Sequence, residues 1–122
     1  MCIMIFHSDP EANKALARLF AAKLDPGIDV ICVKSRAEAL RKISNSPFHI
    51  SVFVTELDDA TSFDMFIRAM KNASPNTKVV LHANFGDSIT GTNVEDVVIR
   101  GIPNEDDEMV RRVSLLLRRK AA

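Results

Sequence analysis

Five short apolar segments run through the chain, and none of them alternates polar with apolar residues. Strands of this composition are buried on both faces, which is typical of a parallel sheet covered by helices. Segments with helical spacing lie between most of these strands. This order predicts a doubly wound α/β domain of flavodoxin type with strand order 2-1-3-4-5. The predicted strands are 2–6, 28–33, 50–54, 78–83 and 96–100.

Local signals predict where the helices begin. The segment 8–11 offers a side-chain oxygen for a helix cap, a proline for the first turn and a glutamate that can reach back. Ser35 and Glu38 repeat this capping pattern, and Asn104 is expected to cap the last helix. Two predicted helices open after the first two caps. A third covers about 63–72, and the last covers about 105–119.

The segment between the fourth and fifth strands is a poor helix former. It contains Gly86 and Gly91, and a glycine costs about 1 kcal/mol in a helix interior. We therefore expect the fourth helix to be one turn long or replaced by a loop. In this segment Phe85 and Ile89 have the side chains suited to face a core.

Length and composition exclude several classes of protein. The 122 residues are 47% hydrophobic and 26% charged, as in one globular domain over 1–122, and a further output domain after residue 122 stays open. Sixteen basic residues balance sixteen acidic ones, so no charge excess favours nucleic acid. No apolar run approaches the roughly 20 residues that cross a bilayer. Cys2 and Cys32 lie in apolar segments and are expected to be reduced core residues of a cytoplasmic protein.

Ionisable side chains cluster where the predicted strands end. In an open parallel sheet, ligands and chemistry are found at the carboxyl ends of the strands, which meet at one edge. We therefore expect these side chains to converge there. The strand ends carry His7, Ser8, Asp9, Thr55, Glu56, His82 and Arg100.

Several of these segments resemble a two-component response-regulator receiver (CheY-like) domain. The segments 6–11, 52–57 and 79–83 resemble the first, third and fourth strands of that family with the residues that follow them. In the family these strands lead to an acidic pair, a phosphoacceptor aspartate and a Thr or Ser switch residue. The segment 99–102 stands where the family has a Lys-Pro pair. The resemblance covers about residues 2–118 and implies a signalling role.

The residues at the family's functional positions differ from the family pattern. The resemblance places His7 and Ser8 at the acidic pair, with Asp9 next to them. It places Glu56 at the phosphoacceptor and His82 at the switch. Arg100, in place of the lysine, is expected to pair with Glu56 or Asp9.

These departures predict a pseudo-receiver that keeps the fold and loses the phosphorylation chemistry. Magnesium prefers hard oxygen ligands, and an imidazole with a hydroxyl replaces two carboxylates here. The extra methylene of Glu56 moves its carboxylate by about 1 Å, enough to spoil in-line attack. We expect no cofactor, and weak or absent magnesium binding.

The favoured interpretation is a non-enzymatic signalling or adaptor domain that acts by protein contact. The resemblance implies output through the fourth helix, the fifth strand and the last helix. That surface is the expected contact for a partner protein or a second copy, with no role for nucleic acid or membrane. The predicted contact residues are Phe85, Ile89, Arg100, Ile102, Arg111 and Arg112.

Two alternatives stay open. The first is an active receiver phosphorylated on Glu56, Asp58 or Asp59. The second is a serine esterase, because Ser88 lies in a Gly-Asp-Ser block that follows a strand. No histidine follows Ser88 in the chain, and a serine without a base is an ordinary hydroxyl. That absence weighs against the esterase.

Overall fold

The computed structural model describes residues 1–45, 49–57, 60–87 and 93–118, apart from the side chains of residues 60 and 61. Asp58, Asp59, Ser88 and Ile89 therefore lie outside the described residues. The strands are β1 (Cys2–Phe6), β2 (Asp29–Val33), β3 (Ile50–Glu56), β4 (Lys78–Ala83) and β5 (Asp96–Ile99). The helices are α1 (Pro10–Lys23), α2 (Arg36–Asn45), α3 (Ala60–Ala73) and α4 (Glu105–Arg118).

The five strands form one parallel sheet in the order β2-β1-β3-β4-β5. The predicted doubly wound α/β fold and its strand order are therefore confirmed. The register matters for function, because Phe6 lies beside Thr55 and Glu56 lies beside His82. The ends of β1, β3 and β4 thus meet at the same edge of the sheet.

Alternating side chains of the central strands enter two cores, one on each face of the sheet. On one face, Met4 and Phe53 pack with residues of α2 and α3, including Phe63. On the other face, Ile5 and Val54 pack with residues of α1 and α4. Because both faces are covered, the central strands are apolar throughout their length.

Side-chain caps begin two of the helices, as predicted. The Asp9 carboxylate accepts a hydrogen bond from the Glu11 amide at 3.0 Å, and Pro10 stands in the first turn of α1. The Ser35 hydroxyl accepts from the Glu38 amide at 3.0 Å. Asn104 precedes α4 in a left-handed conformation, with φ 64°, which asparagine tolerates. Its carbonyl accepts the first hydrogen bond of the helix, from the Glu108 amide at 2.9 Å.

Two expectations about burial are wrong. Cys2 is buried, but Cys32 is exposed, because β2 is an edge strand that the helices cover only in part. Phe85 does not face a core, since its side chain is 91% exposed. Between β4 and β5, the described residues 84–87 and 93–95 form no helix, in keeping with a loop. None of the described helices is long and apolar enough to cross a membrane.

Candidate functional site

The site begins where β1 ends, at His7. The His7 amide donates to Oδ1 of Asn13 at 2.7 Å, and Nδ2 of Asn13 donates back to the His7 carbonyl at 3.1 Å. The same Nδ2 donates to the carbonyl of Val33 at 3.1 Å. Asn13 thus joins β1 to α1 and β2, and it holds the His7 backbone in one position. Asn13 was not among the predicted site residues, although a polar residue on the buried face of an amphipathic helix is a usable signal.

The imidazole of His7 forms a buried pair with that of His82. Nε2 of His7 lies 3.0 Å from Nδ1 of His82. The two rings meet edge to face, with an interplanar angle of 88°. The His7 side chain has no exposed surface, and His82 is 5% exposed. Two residues that are 75 positions apart in the chain are therefore in direct contact.

A carboxylate lies at each end of this histidine pair. Oε2 of Glu56 is 3.4 Å from Nδ1 of His7, and Oε2 of Glu105 is 2.9 Å from Nε2 of His82. We call these four residues the Glu–His–His–Glu network. Glu105 was not among the predicted site residues, because four acidic residues open α4 and nothing local distinguishes the first of them.

Each carboxylate of the network also accepts a backbone hydrogen bond. The Ser8 amide donates to Oε1 of Glu56 at 2.6 Å, and the Gly101 amide donates to Oε1 of Glu105 at 2.5 Å. Ser8 belongs to the loop after β1, and Gly101 belongs to the loop after β5. The network therefore connects these two loops across the carboxyl edge of the sheet.

Burial sets the charge state of the histidine pair. It lowers the pKa of His7 and of His82, because an imidazolium loses hydration when it is buried. The nearby Glu56 and Glu105 carboxylates oppose this shift, and the Arg100 cation reinforces it. Both imidazoles are therefore harder to protonate than an ordinary histidine.

The pKa values of the two carboxyl groups are lowered, which favours their ionised form. Burial raises the pKa of Glu56. The Ser8 hydrogen bonds and the neighbouring His7 lower it by more, so the net shift of the pKa is downward. Glu105 behaves alike: the Gly101 amide and His82 outweigh burial and lower the pKa of its carboxyl group. Hydrogen bonds to the charged form explain both results.

The structure brings together His7, Ser8, Glu56 and His82, as the strand-end argument predicted. The expected pairing of Arg100 with Glu56 or Asp9 is wrong for the described residues, among which Arg100 has no ion pair with either carboxylate. The reason is geometric, since Glu56 is turned towards the Ser8 amide and His7. Asp9 instead uses its carboxylate to cap α1.

The residues predicted to contact a partner lie in different surroundings. Phe85 is almost fully exposed and Ile102 is half-buried. Arg111 and Arg112 both contact Glu108, and Arg112 also reaches Asp96 at 2.7 Å. The charges of these two arginines are therefore partly neutralised within the chain.

Comparison with solved structures identifies the class of fold. The chain is similar to a response regulator from Thermotoga maritima, with a TM-score of 0.78 and 16% identity over 95% of this chain and 96% of the other. It is similar to the pilus assembly protein CpaE from Caulobacter crescentus, with a TM-score of 0.72 and 20% identity over 94% and 98% of the two chains. For a CheY-like protein (TadZ) from Pseudomonas aeruginosa, the TM-score is 0.71 and the identity 16%, over 95% and 98% of the chains.

These structures define the fold of the chain as the receiver (CheY-like) fold. No protein-family model and no curated protein matches the sequence. At such low identity the likeness extends to the arrangement of strands and helices, and the residues at the carboxyl edge have to be interpreted from their own geometry.

Proposed function

We propose that this chain is a phosphorylation-independent pseudo-receiver, a signalling or adaptor module that acts by protein contact and catalyses no reaction. The receiver fold supports a role in two-component signalling. The observation that carries the proposal is the engagement of Glu56. Its carboxylate accepts the Ser8 amide at 2.6 Å and faces the buried His7 ring at 3.4 Å.

The position of Glu56 opposes phosphoryl transfer to it. Attack on a phosphodonor needs a carboxylate oxygen with a free approach and a reacting distance of about 3–3.5 Å. Here one oxygen is bonded to the Ser8 amide, and the other is directed into a buried imidazole. The lowered pKa of Glu56 belongs to a carboxylate stabilised as a structural acceptor.

Among the residues that the structure describes, the donors at this edge do not fit magnesium. The ion takes hard oxygen ligands in octahedral geometry. His7 is a buried imidazole whose ring nitrogens face His82 and Glu56, and Ser8 offers a neutral hydroxyl. Asp9, the carboxylate that follows Ser8 in the sequence, caps α1. These residues supply too little negative charge to replace the hydration shell of the ion.

Residues in the loops after β4 and β5 support the protein-contact part of the proposal. Phe85 is 91% exposed. A large apolar side chain of this kind contributes to the free energy of binding when a partner covers it. Ile102 is half-buried, and Arg100 makes no ion pair among the described residues. The balanced net charge favours a protein partner over nucleic acid. Two free cysteines are in keeping with a cytoplasmic protein.

Exposure to a small phosphodonor tests this function. The purified chain is incubated with magnesium and acetyl phosphate, and intact mass reports any covalent phosphoryl group. We expect no label under conditions in which an active receiver domain is fully labelled. A labelled chain would overturn phosphorylation independence. The variants Glu56→Gln, Asp58→Asn and Asp59→Asn would then show which carboxylate accepts the group.

A further inference from the structure

The Glu–His–His–Glu network has fewer protons than its contacts require. It contains three contacts: Glu56 with His7, His7 with His82, and His82 with Glu105. Each contact joins two atoms that carry lone pairs, so each needs a proton between them. Two neutral imidazoles supply two protons, and two ionised carboxylates supply none. One of the three contacts is therefore left without a proton.

The distances indicate which contact lacks it. The His7–His82 and His82–Glu105 contacts are 3.0 Å and 2.9 Å, which are hydrogen-bond lengths. The His7–Glu56 contact is longer, at 3.4 Å. Nδ1 of His7 is also a buried polar atom without a hydrogen bond among the described residues. In the neutral pair the protons thus lie on Nε2 of both rings, and Nδ1 of His7 presents a lone pair to Glu56.

A single added proton completes the network. Placed on Nδ1 of His7, it forms the missing hydrogen bond to Glu56 and changes the network from two negative charges to one. A second added proton has no place on the rings, because it would set two N–H groups against each other at the 3.0 Å contact between them. The geometry therefore allows one added proton on the two imidazoles and excludes two.

We propose that the Glu–His–His–Glu network is a one-proton acid sensor that couples the loop after β1 to the loop after β5. Glu56 accepts a hydrogen bond from the Ser8 amide, and Glu105 accepts one from the Gly101 amide. A proton that draws Glu56 towards His7 therefore changes the hydrogen bonds that reach both loops. The proton site stands on its geometry alone, whereas its use as a signal to a partner rests on the proposed function.

Charged groups on every side tune this sensor. Glu56 on β3, Asp9 after β1 and Glu105 on α4 favour the added proton, and Arg100 at the end of β5 opposes it. Asp106 lines the same cavity as His82, a space of about 330 Å³ between α1 and the start of α4. This cavity gives solvent protons a route to an otherwise buried pair. Asp58 and Asp59 lie outside the described residues.

Nuclear magnetic resonance of the imidazole nitrogens tests the proton count. With ¹⁵N-labelled histidine, the His7 and His82 rings are followed while the pH is lowered, and the exposed His49 serves as a reference ring in the same sample. We expect His7 and His82 to share one midpoint and take up one proton between them, with the Ser8 and Gly101 amides moving at the same pH. If each ring becomes an imidazolium while the fold persists, the proposal is wrong. The proposal is also wrong if the chain unfolds before either ring takes up a proton. It is equally wrong if the amide signals of Ser8 and Gly101 do not move with pH.

Two glutamine variants sharpen the test through the tautomers. In Glu56→Gln the new amide N–H donates to Nδ1 of His7, which completes the network with both ring protons on Nε2. In Glu105→Gln the oxygen keeps the Gly101 amide and the N–H donates to Nε2 of His82. Both ring protons must then move to Nδ1. The network of each variant is complete without an added proton. We therefore expect the pH midpoint of proton uptake by the rings to fall by about 1 pH unit or more.

A matched control separates this effect from a simple loss of charge. Glu108→Gln removes the same charge one turn along α4, where Glu108 contacts Arg111 and Arg112 instead of the histidines. We expect wild-type tautomers and a wild-type midpoint. Identical tautomers in Glu56→Gln and Glu105→Gln would overturn the proton assignment. Phosphodonor labelling would instead overturn the proposed function and leave the proton site intact, so the two failures are distinguishable.

Discussion

The side-chain amide of Asn13 binds both polar groups of the His7 backbone. It accepts from the His7 amide at 2.7 Å and donates to the His7 carbonyl at 3.1 Å. Both residues are buried, so water does not compete for these bonds. Asn13 consequently determines the place from which the His7 ring reaches His82, through bonds from its side chain to the His7 backbone.

Replacing Asn13 with alanine tests this positioning. The variant leaves the amide and carbonyl of His7 and the carbonyl of Val33 without their partner. An unsatisfied buried polar group costs about 1–3 kcal/mol, so we expect a loss of about 2–4 kcal/mol in the free energy of unfolding. Urea unfolding followed by circular dichroism measures it, since the chain has no tryptophan or tyrosine. Asn72→Ala on α3 changes an exposed asparagine and is the control; equal losses in the two variants would contradict this role.

Acid should destabilise the protein in two steps. The folded-state pKa of His7 and of His82 is lowered below the ordinary 6.5, so the unfolded chain binds more protons than the folded one just below that pH. Their contribution to stability is therefore present above pH 6.5 and is lost as the pH falls. Glu56 and Glu105 also have lowered pKa values, so their contribution is lost below about 4.5.

Urea midpoints measured between pH 8 and 4 check this dependence. Each proton of difference contributes a slope of about 1.4 kcal/mol per pH unit. The variant His49→Gln, which removes the exposed histidine outside the network, should keep the wild-type profile. A stability that is constant from pH 7.5 to 5 would contradict the burial of neutral imidazoles.

Removal of Glu105 should be more harmful than removal of its neighbour Glu108. Glu105→Ala leaves the Gly101 amide and Nε2 of His82 without their acceptor, and we expect a loss of about 1–2 kcal/mol in stability. Glu108→Ala disrupts surface ion pairs with Arg111 and Arg112 and should have a smaller effect. Thermal unfolding of the two variants side by side measures the difference. The role of Glu105 is wrong if the order is reversed.

Ile102→Asp should weaken association without unfolding the domain. Ile102 is half-buried beside the proposed contact surface, and a buried carboxylate in an interface would reduce affinity by tenfold or more, about 1.4 kcal/mol. Sedimentation velocity over a range of concentrations reports self-association, and binding to a labelled partner reports the heterologous contact. Met65→Asp alters an exposed apolar residue on α3 and is the control. Unchanged association in Ile102→Asp would place the contact surface elsewhere.

Much of the fold was predictable, because many independent local signals in the sequence indicate the same architecture. The apolar strands, the Asp9 and Ser35 caps and the poor helix after β4 all agree with one architecture. The errors occur where a single local signal had to decide burial. Cys32 lies in an apolar segment yet is exposed on an edge strand, because the position of a strand in the sheet decides how much of it the helices cover.

The candidate site was predictable in part. Strand ends located His7, Glu56 and His82 at one edge, since parallel strands bring their carboxyl ends together. The partners of these residues were not predictable. Arg100 has the charge to pair with Glu56, but the Ser8 amide and His7 occupy that carboxylate. Side-chain direction and a distance of a few tenths of an ångström decide such competition.

The amino-acid sequence by itself determined the parallel α/β architecture and the edge of the sheet where ionisable residues gather. It did so because hydrophobic periodicity and helix caps act over a few neighbouring residues. The tertiary structure alone decided that His7 meets His82 across 75 positions of chain and that Glu105 completes the network from 23 positions further on. Hydrogen bonds act over about 3 Å, so only strand register and the placement of α4 bring these groups within reach.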